Sequence, residues 1–150
     1  MKQPVPVKVW TEFNHDWDLP QYETLGASGL DVRANMDYTI QPASTALIPT
    51  GIYMAVPDGY EVQVRPRSGL SLKTSFRIAN SPGTIDADYR GELCIIATNT
   101  SNISSFGIAI GDRIAQIVLM EVPKIEWVPV AQKADLPPTI RGEGGFGSTS

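Results

Sequence analysis

The 150-residue chain has one cysteine, Cys94, and one histidine, His15. A disulfide framework and a cysteine zinc site each need at least a pair of thiols, so both are excluded and a reducing, cytoplasmic setting is expected. His15 stands beside Asp16 and Trp17 with no GxSxG serine motif and no neighbouring cysteine, which gives a nucleophilic triad little support. Positive charge is also scarce. Lys and Arg total 12 against 16 Asp and Glu, so no broad basic surface exists to neutralise a nucleic-acid backbone, and no such partner is expected. Residues Met1 to Trp10 lack a long apolar run and match neither a signal peptide nor a membrane span. Walker GxxxxGK[ST] and Rossmann GxGxxG patterns are missing, so any phosphate site is built another way.

What is present points to an all-β domain. With 42% hydrophobic residues, the chain is long enough to fill one core. Its 13 glycines and 12 prolines punctuate short segments rich in Val, Ile, Leu, Thr and Tyr, a pattern of strands rather than helices. Ile52 to Val56 and Glu61 to Arg65 flank Pro57-Asp58-Gly59 and predict a hairpin. In its second arm Tyr60, Val62 and Val64 share one face, while Glu61, Gln63 and Arg65 share the other. Further strands are expected over Val5–Val9, Leu30–Ala34, Phe76–Ala79, Leu93–Thr98, Phe106–Ile110, Arg113–Met120 and Ile125–Val128, with a single short helix near Gly69–Lys73. A sandwich or barrel follows.

Several residues are equipped for chemistry. Seven arginines outnumber five lysines, and Arg67-Ser68-Gly69, Arg90-Gly91 and Arg141-Gly142 place guanidinium forks beside small residues. Such a grouping suits phosphate, although arginines at strand ends are equally ordinary surface residues. The segment Asn80 to Glu92 is the densest cluster of functional side chains and looks like a hairpin. Within it Asp86 follows Ile85, where partial burial would hold a carboxylate able to polarise water; Asp86 and Asp88 are also common turn formers. Cys94 reads as a small buried thiol in a strand, and Asn99 and Asn102, each heading an Asn-x-Ser pattern, read as turn residues. After Pro137-Pro138 the run Arg141 to Ser150 has little apolar content, which describes either a frayed tail or a flexible arm carrying one cation and one ring, Phe146.

Five blocks, taken together and in order, resemble the trimeric dUTPase family (deoxyuridine triphosphate nucleotidohydrolase): Ser28 to Ala34, Arg65 to Ser71, Asn80 to Glu92, Gly111 to Gln116, and Arg141 to Ser150. The resemblance implies a jelly-roll β-domain over residues 1–138 and a C-terminal arm over 139–150. It implies a homotrimer with shared active sites and Mg²⁺-assisted hydrolysis of dUTP to dUMP and pyrophosphate. By family position Asp86 would deprotonate the water that attacks the α-phosphorus. Arg67, Ser68, Gly69 and Gln116 would hold phosphates, and Asp31 would act on the metal through its water shell. Tyr89 would lie under the deoxyribose and reject UTP. Asn80, the main chain of Gly83, Thr84 and Ile85, and the backbone at Cys94 would bind uracil. The arm would close with Phe146 on the base, Arg141 on the γ-phosphate, and Gly147, Ser148 and Thr149 near the phosphates.

Two positions depart from the family pattern: Ser71, where Ala is frequent, and Ser150, where Gly is usual. The nearest rival, a dCTP deaminase of related fold, lacks support in Tyr89-Arg90-Gly91-Glu92 and the complete glycine-rich arm. A non-catalytic nucleotide-binding module would be expected to have lost Asp86 or the arm, and both remain.

Overall fold

The β-branched segments of the chain become strands because alternate side chains find a common apolar layer. A computed structural model describes residues 3–147. Ten strands occur among them: β1 (Lys8–Thr11), β2 (Leu30–Arg33), β3 (Tyr38–Ile40), β4 (Thr45–Ala55), β5 (Tyr60–Arg65), β6 (Phe76–Ile78), β7 (Gly83–Ile85), β8 (Glu92–Asn99), β9 (Phe106–Ile108) and β10 (Arg113–Glu121). The predicted short helix, α1, spans Ser68–Lys73. Two four-stranded sheets, ordered β1-β4-β8-β6 and β2-β10-β5-β7, are joined by a two-stranded β3-β9 pair. Every ladder is antiparallel.

One apolar cluster joins the sheets. Ile48, Ile52, Leu93 and Ile95 come from the first, Val32, Val62, Val64 and Ile114 from the second, and all are buried. Each such side chain contributes roughly 1.5–3 kcal/mol when removed from water. Strand β8 states the rule of alternation plainly: Leu93, Ile95, Ala97 and Asn99 are buried, while Glu92, Cys94, Ile96 and Thr98 lie on the half-exposed face. A slip of one residue would exchange the two faces, so burial fixes the register.

Both predicted hairpins are corrected. The Pro57-Asp58-Gly59 turn does form, with Tyr60 N donating to Pro57 O at 3.2 Å and Gly59 at φ +84°. It carries the chain from one sheet to the other, because β4 pairs with β1 and β8 whereas β5 pairs with β10 and β7. Likewise β7 lies in the second sheet and β8 in the first, so the arms of Asn80 to Glu92 do not pair with each other. Turn chemistry sets a reversal of direction; the ladder with more pairs to offer, here β10 against all of β5, decides the partner.

Other expectations shift. The N-terminal strand is Lys8–Thr11 rather than Val5–Val9, and β3, β7 and the first half of β4 are additional. Ile125–Val128 forms no strand among the described residues, and Ile125 is 73% and Trp127 81% exposed. Asn99 ends β8 instead of sitting in a turn, and it is fully buried. Its amide donates to Ile40 O (3.1 Å), Gln41 O (3.3 Å) and Ser104 O (2.7 Å), and its carbonyl accepts from Ser75 Oγ (2.7 Å) and Ser101 N (3.0 Å). A second buried amide, Asn35, ties the 12–14 segment to β2's end by accepting from Asn14 N (2.7 Å) and donating to Glu12 O (2.9 Å). Among the described residues no helix is long and apolar enough to cross a membrane.

Candidate active site

Two cavities collect most of the candidate residues. The first, about 280 Å³, lies where β7 and the 86–91 crossing meet the outer face of β8, and Asn80, Gly83, Thr84, Ile85, Asp86, Tyr89, Glu92 and Cys94 line it. Alternation explains β8's contribution, since Glu92, Cys94 and Ile96 share the face turned away from the core. Gly83 brings the Asn80 amide close: a Cβ there would stand 3.1 Å from Asn80 Nδ2 and 3.3 Å from Val64 Cβ.

Asp86 is exposed, not partly buried. It follows the last residue of β7, and the turn closed by Tyr89 N donating to Asp86 O (3.2 Å) leaves its carboxylate at the cavity mouth. Tyr89 folds back so that its hydroxyl donates to Glu92 O at 3.0 Å. The Glu92 carboxylate in turn accepts from Gly51 N at 2.8 Å, joining the cavity wall to β4. Cys94 is half-buried rather than buried, and desolvation, followed by the nearby Glu92 charge, raises its thiol pKa. That environment keeps the thiol protonated and makes it a poor nucleophile.

The second cavity, about 460 Å³, is lined by Asp31, Arg67, Ser68, Gly69, Leu70, Lys73, Thr74 and Gln116. Strand pairing assembles it. β10 sets Gln116 opposite Asp31 on β2 and opposite Arg65 on β5, whose end leads through Pro66 into α1. Arg67 Nε donates to Asp31 Oδ1 at 3.1 Å and its Nη1 to Arg113 O at 3.1 Å. Arg113 Nη1 approaches Asp31 Oδ2 at 3.5 Å and Glu23 Oε1 at 3.0 Å. Gln116 Nε2 donates to Pro66 O at 2.9 Å. Fixed guanidinium and amide donors around a polar cavity suit an anion with several oxygens.

The described residues of the arm line neither cavity. Arg141 and Phe146 are exposed, and Arg141 Nε is occupied by Gly144 O at 2.7 Å. Glu143 pairs with Lys133 across the same turn. Gly147 is exposed too, while Ser148 and Thr149 lie outside the described residues. His15 lines neither cavity and stacks on Trp17, with ring centroids 5.6 Å apart.

A small cavity carrying Asp86 and Glu92, and a second carrying Arg67 and Asp31, occur on a chain whose residues 15–150 match the family model described as dUTPase. This chain belongs to the dUTPase family. It is 50% identical over 143 residues to the deoxyuridine 5'-triphosphate nucleotidohydrolase of Chlamydia felis, covering 94% of this chain and 97% of the relative. Among solved structures, a Staphylococcus bacteriophage 80alpha dUTPase with dUPNHPP superposes with TM-score 0.84 at 26% identity, covering 97% of this chain and 98% of that one. A dUTPase from phage phi11 of S. aureus, described with a structural Mg(II) ion, superposes with TM-score 0.76 at 23% identity, covering 85% and 98%.

For a dUTPase-family chain, the sequence reading left out several lining groups. Lys73 and Thr74, on and just after α1, face the phosphate-suited cavity, and Leu47 and Glu92 face the smaller one. Period-two counting from Cys94 finds Glu92. Leu47 is reached only through the β4–β8 register that sets it opposite Ile96, which no local pattern contains.

Proposed function

We propose that the two cavities are the nucleoside and phosphate halves of a dUTPase site and that Asp86 is its general base. The chain is an enzyme that hydrolyses dUTP. In the reaction inferred here, Asp86 takes a proton from a water whose oxygen attacks the α-phosphorus; the α–β P–O bond breaks, leaving dUMP and pyrophosphate. A single carboxylate supplies only part of the acceleration, roughly 10²–10⁴-fold. The remainder comes from positioning and from charge placed around the triphosphate.

The observation that carries this reading is the gathering of Asn80, Asp86 and Tyr89 on one small cavity. Asn80 and the neighbouring main chain recognise uracil's polar edge, Tyr89 walls the deoxyribose, and Arg67, Ser68, Gly69 and Gln116 hold phosphate oxygens. Gly69 supports its assignment in an indirect way. A Cβ there would meet nothing within 4 Å, so the main chain at Gly69 stands open beside the cavity it lines.

Among the described residues no group of three or more His, Cys, Asp or Glu side chains converges to hold an ion. Asp31 offers one carboxylate at the edge of the phosphate-suited cavity. One carboxylate plus substrate phosphates and retained waters is a set that Mg²⁺ accepts, so the residues fit. Asp31 would hold the ion through its water shell, and the bound ion would supply positive charge to the triphosphate.

We further infer a homotrimer whose sites are shared between subunits, with residues 139–150 as the closing arm. Among the described residues the arm lines neither cavity, and Ile125, Trp127 and Val128 are exposed. A neighbouring subunit would supply both an arm to each site and a cover for these side chains. Incubation with dUTP, dCTP, dTTP and UTP in Mg²⁺ tests the reading. Pyrophosphate is expected from dUTP alone, with Asp86→Asn slower by about 10²–10⁴-fold at unchanged melting temperature. Undiminished turnover in Asp86→Asn would sink the assignment of the base.

A further inference from the structure

Gly91 stands next to the proposed site without belonging to it, and its missing side chain has a specific use. A Cβ on Gly91 would lie 2.3 Å from Tyr89 Oη, 2.5 Å from Cζ and 2.9 Å from Cε2, distances that no real Cβ tolerates. The far edge of the Tyr89 ring therefore rests on the bare Cα of Gly91. Backbone conformation does not call for glycine here, because Gly91 is not among the glycines at positive φ. The ring alone does. Its position is fixed further by the hydroxyl bond to Glu92 O (3.0 Å), and Glu92 is pinned to β4 by the Gly51 N bond (2.8 Å). Gly51 itself sits in close quarters, at φ +71° and with a Cβ there only 2.7 Å from Glu12 O.

We propose that Gly91 is a positioning residue for sugar selection, the seat that sets the height of the Tyr89 ring in the nucleoside cavity, with Glu92 as its anchor. The inference rests on the reading of Tyr89 as the wall under the deoxyribose. A ring pushed off its seat by a methyl group either opens room for a 2′-hydroxyl or intrudes on the sugar, and displacements near 1 Å at a reacting complex cost up to about 10²-fold. Because Ala adopts the Gly91 backbone freely, the effect of Gly91→Ala must pass through the ring of Tyr89.

The test measures kcat/KM for dUTP and for UTP, together with melting temperature, in Gly91→Ala, Tyr89→Ala and the double variant. Gly91→Ala is expected to change the dUTP-to-UTP ratio by about tenfold or more, and to add nothing once Tyr89 is already Ala, since coupled residues are non-additive. An unaltered ratio in Gly91→Ala, where Tyr89→Ala lowers it, overturns the seat while sparing the wall. A full Gly91→Ala effect in the Tyr89→Ala background also overturns the seat. An unaltered ratio in Tyr89→Ala overturns the wall, and the seat falls with it. Should Gly91→Ala fail to fold, recovery of the fold in the double variant supports the ring as the obstacle, and continued failure refutes it.

Discussion

Asn99 has no direct part in the chemistry, yet it holds three loops and a strand end together through one amide. Its donors serve Ile40, Gln41 and Ser104, and its carbonyl serves Ser75 and Ser101, all from a fully buried position. Replacing it by Ala orphans several buried groups at once, and each such group costs about 1–3 kcal/mol. Asn99→Ala should therefore lose about 3 kcal/mol or more in denaturant unfolding, while a surface control such as Asn102→Ala stays within about 0.5 kcal/mol. The same residue marks a limit of sequence reading. Asn-Thr-Ser has the composition of a turn, and only the arrival of the 40–44 and 75 segments beside β8 makes that amide a hub. The exposure of Asp86 was likewise not legible, because it depends on the chain crossing between sheets at that point.

Elements with a strict period of two were readable wherever the partner lay anywhere within the chain. Strand β5 carries Val62 and Val64 inward at the predicted spacing of two, and β8 does the same with Leu93 and Ile95, whereas β10 buries Ile114, Ala115, Ile117 and Val118 around a bulge. Their partners were not readable, because pairing depends on long-range register, as the two overturned hairpins demonstrate. Helix α1 is another local success, a six-residue turn that delivers Arg67, Ser68 and Gly69 to one cavity wall. The C-terminal segment is the opposite case, its described residues bonding to one another and to Lys133 and lining neither cavity. Truncation after Pro138 removes exposed residues together with the self-contained turn of Arg141 and Gly144. It should leave the melting temperature within a few degrees of the intact chain and lower kcat/KM for dUTP by about tenfold or more, through loss of closure over the nucleotide. Full activity in the truncated protein would remove the arm from the mechanism.

At the scale of the whole molecule, one chain displays Ile125, Trp127 and Val128 to solvent, and an apolar run of that kind calls for cover. In the proposed trimer that cover comes from a second copy. Trp127→Asp should shift sedimentation velocity from a three-chain species toward a single chain, with dUTP hydrolysis falling in parallel; a monomeric wild-type protein of full activity would overturn the shared-site reading. The sheet order has a further effect, on how the chain reaches this state at all. Among the described strands no two successive ones pair, so the first contacts available to the emerging polypeptide are never the final ones. The pairs at the middle of the two sheets, β4 with β8 and β5 with β10, wait for Asn99 and Glu121 to be synthesised. Loop closure is thus met in full before any central ladder rewards it, which places folding in the slow, milliseconds-to-seconds class of β-proteins. During that interval the aliphatic strands are exposed together, and this is when chaperone capture and aggregation compete with the native fold.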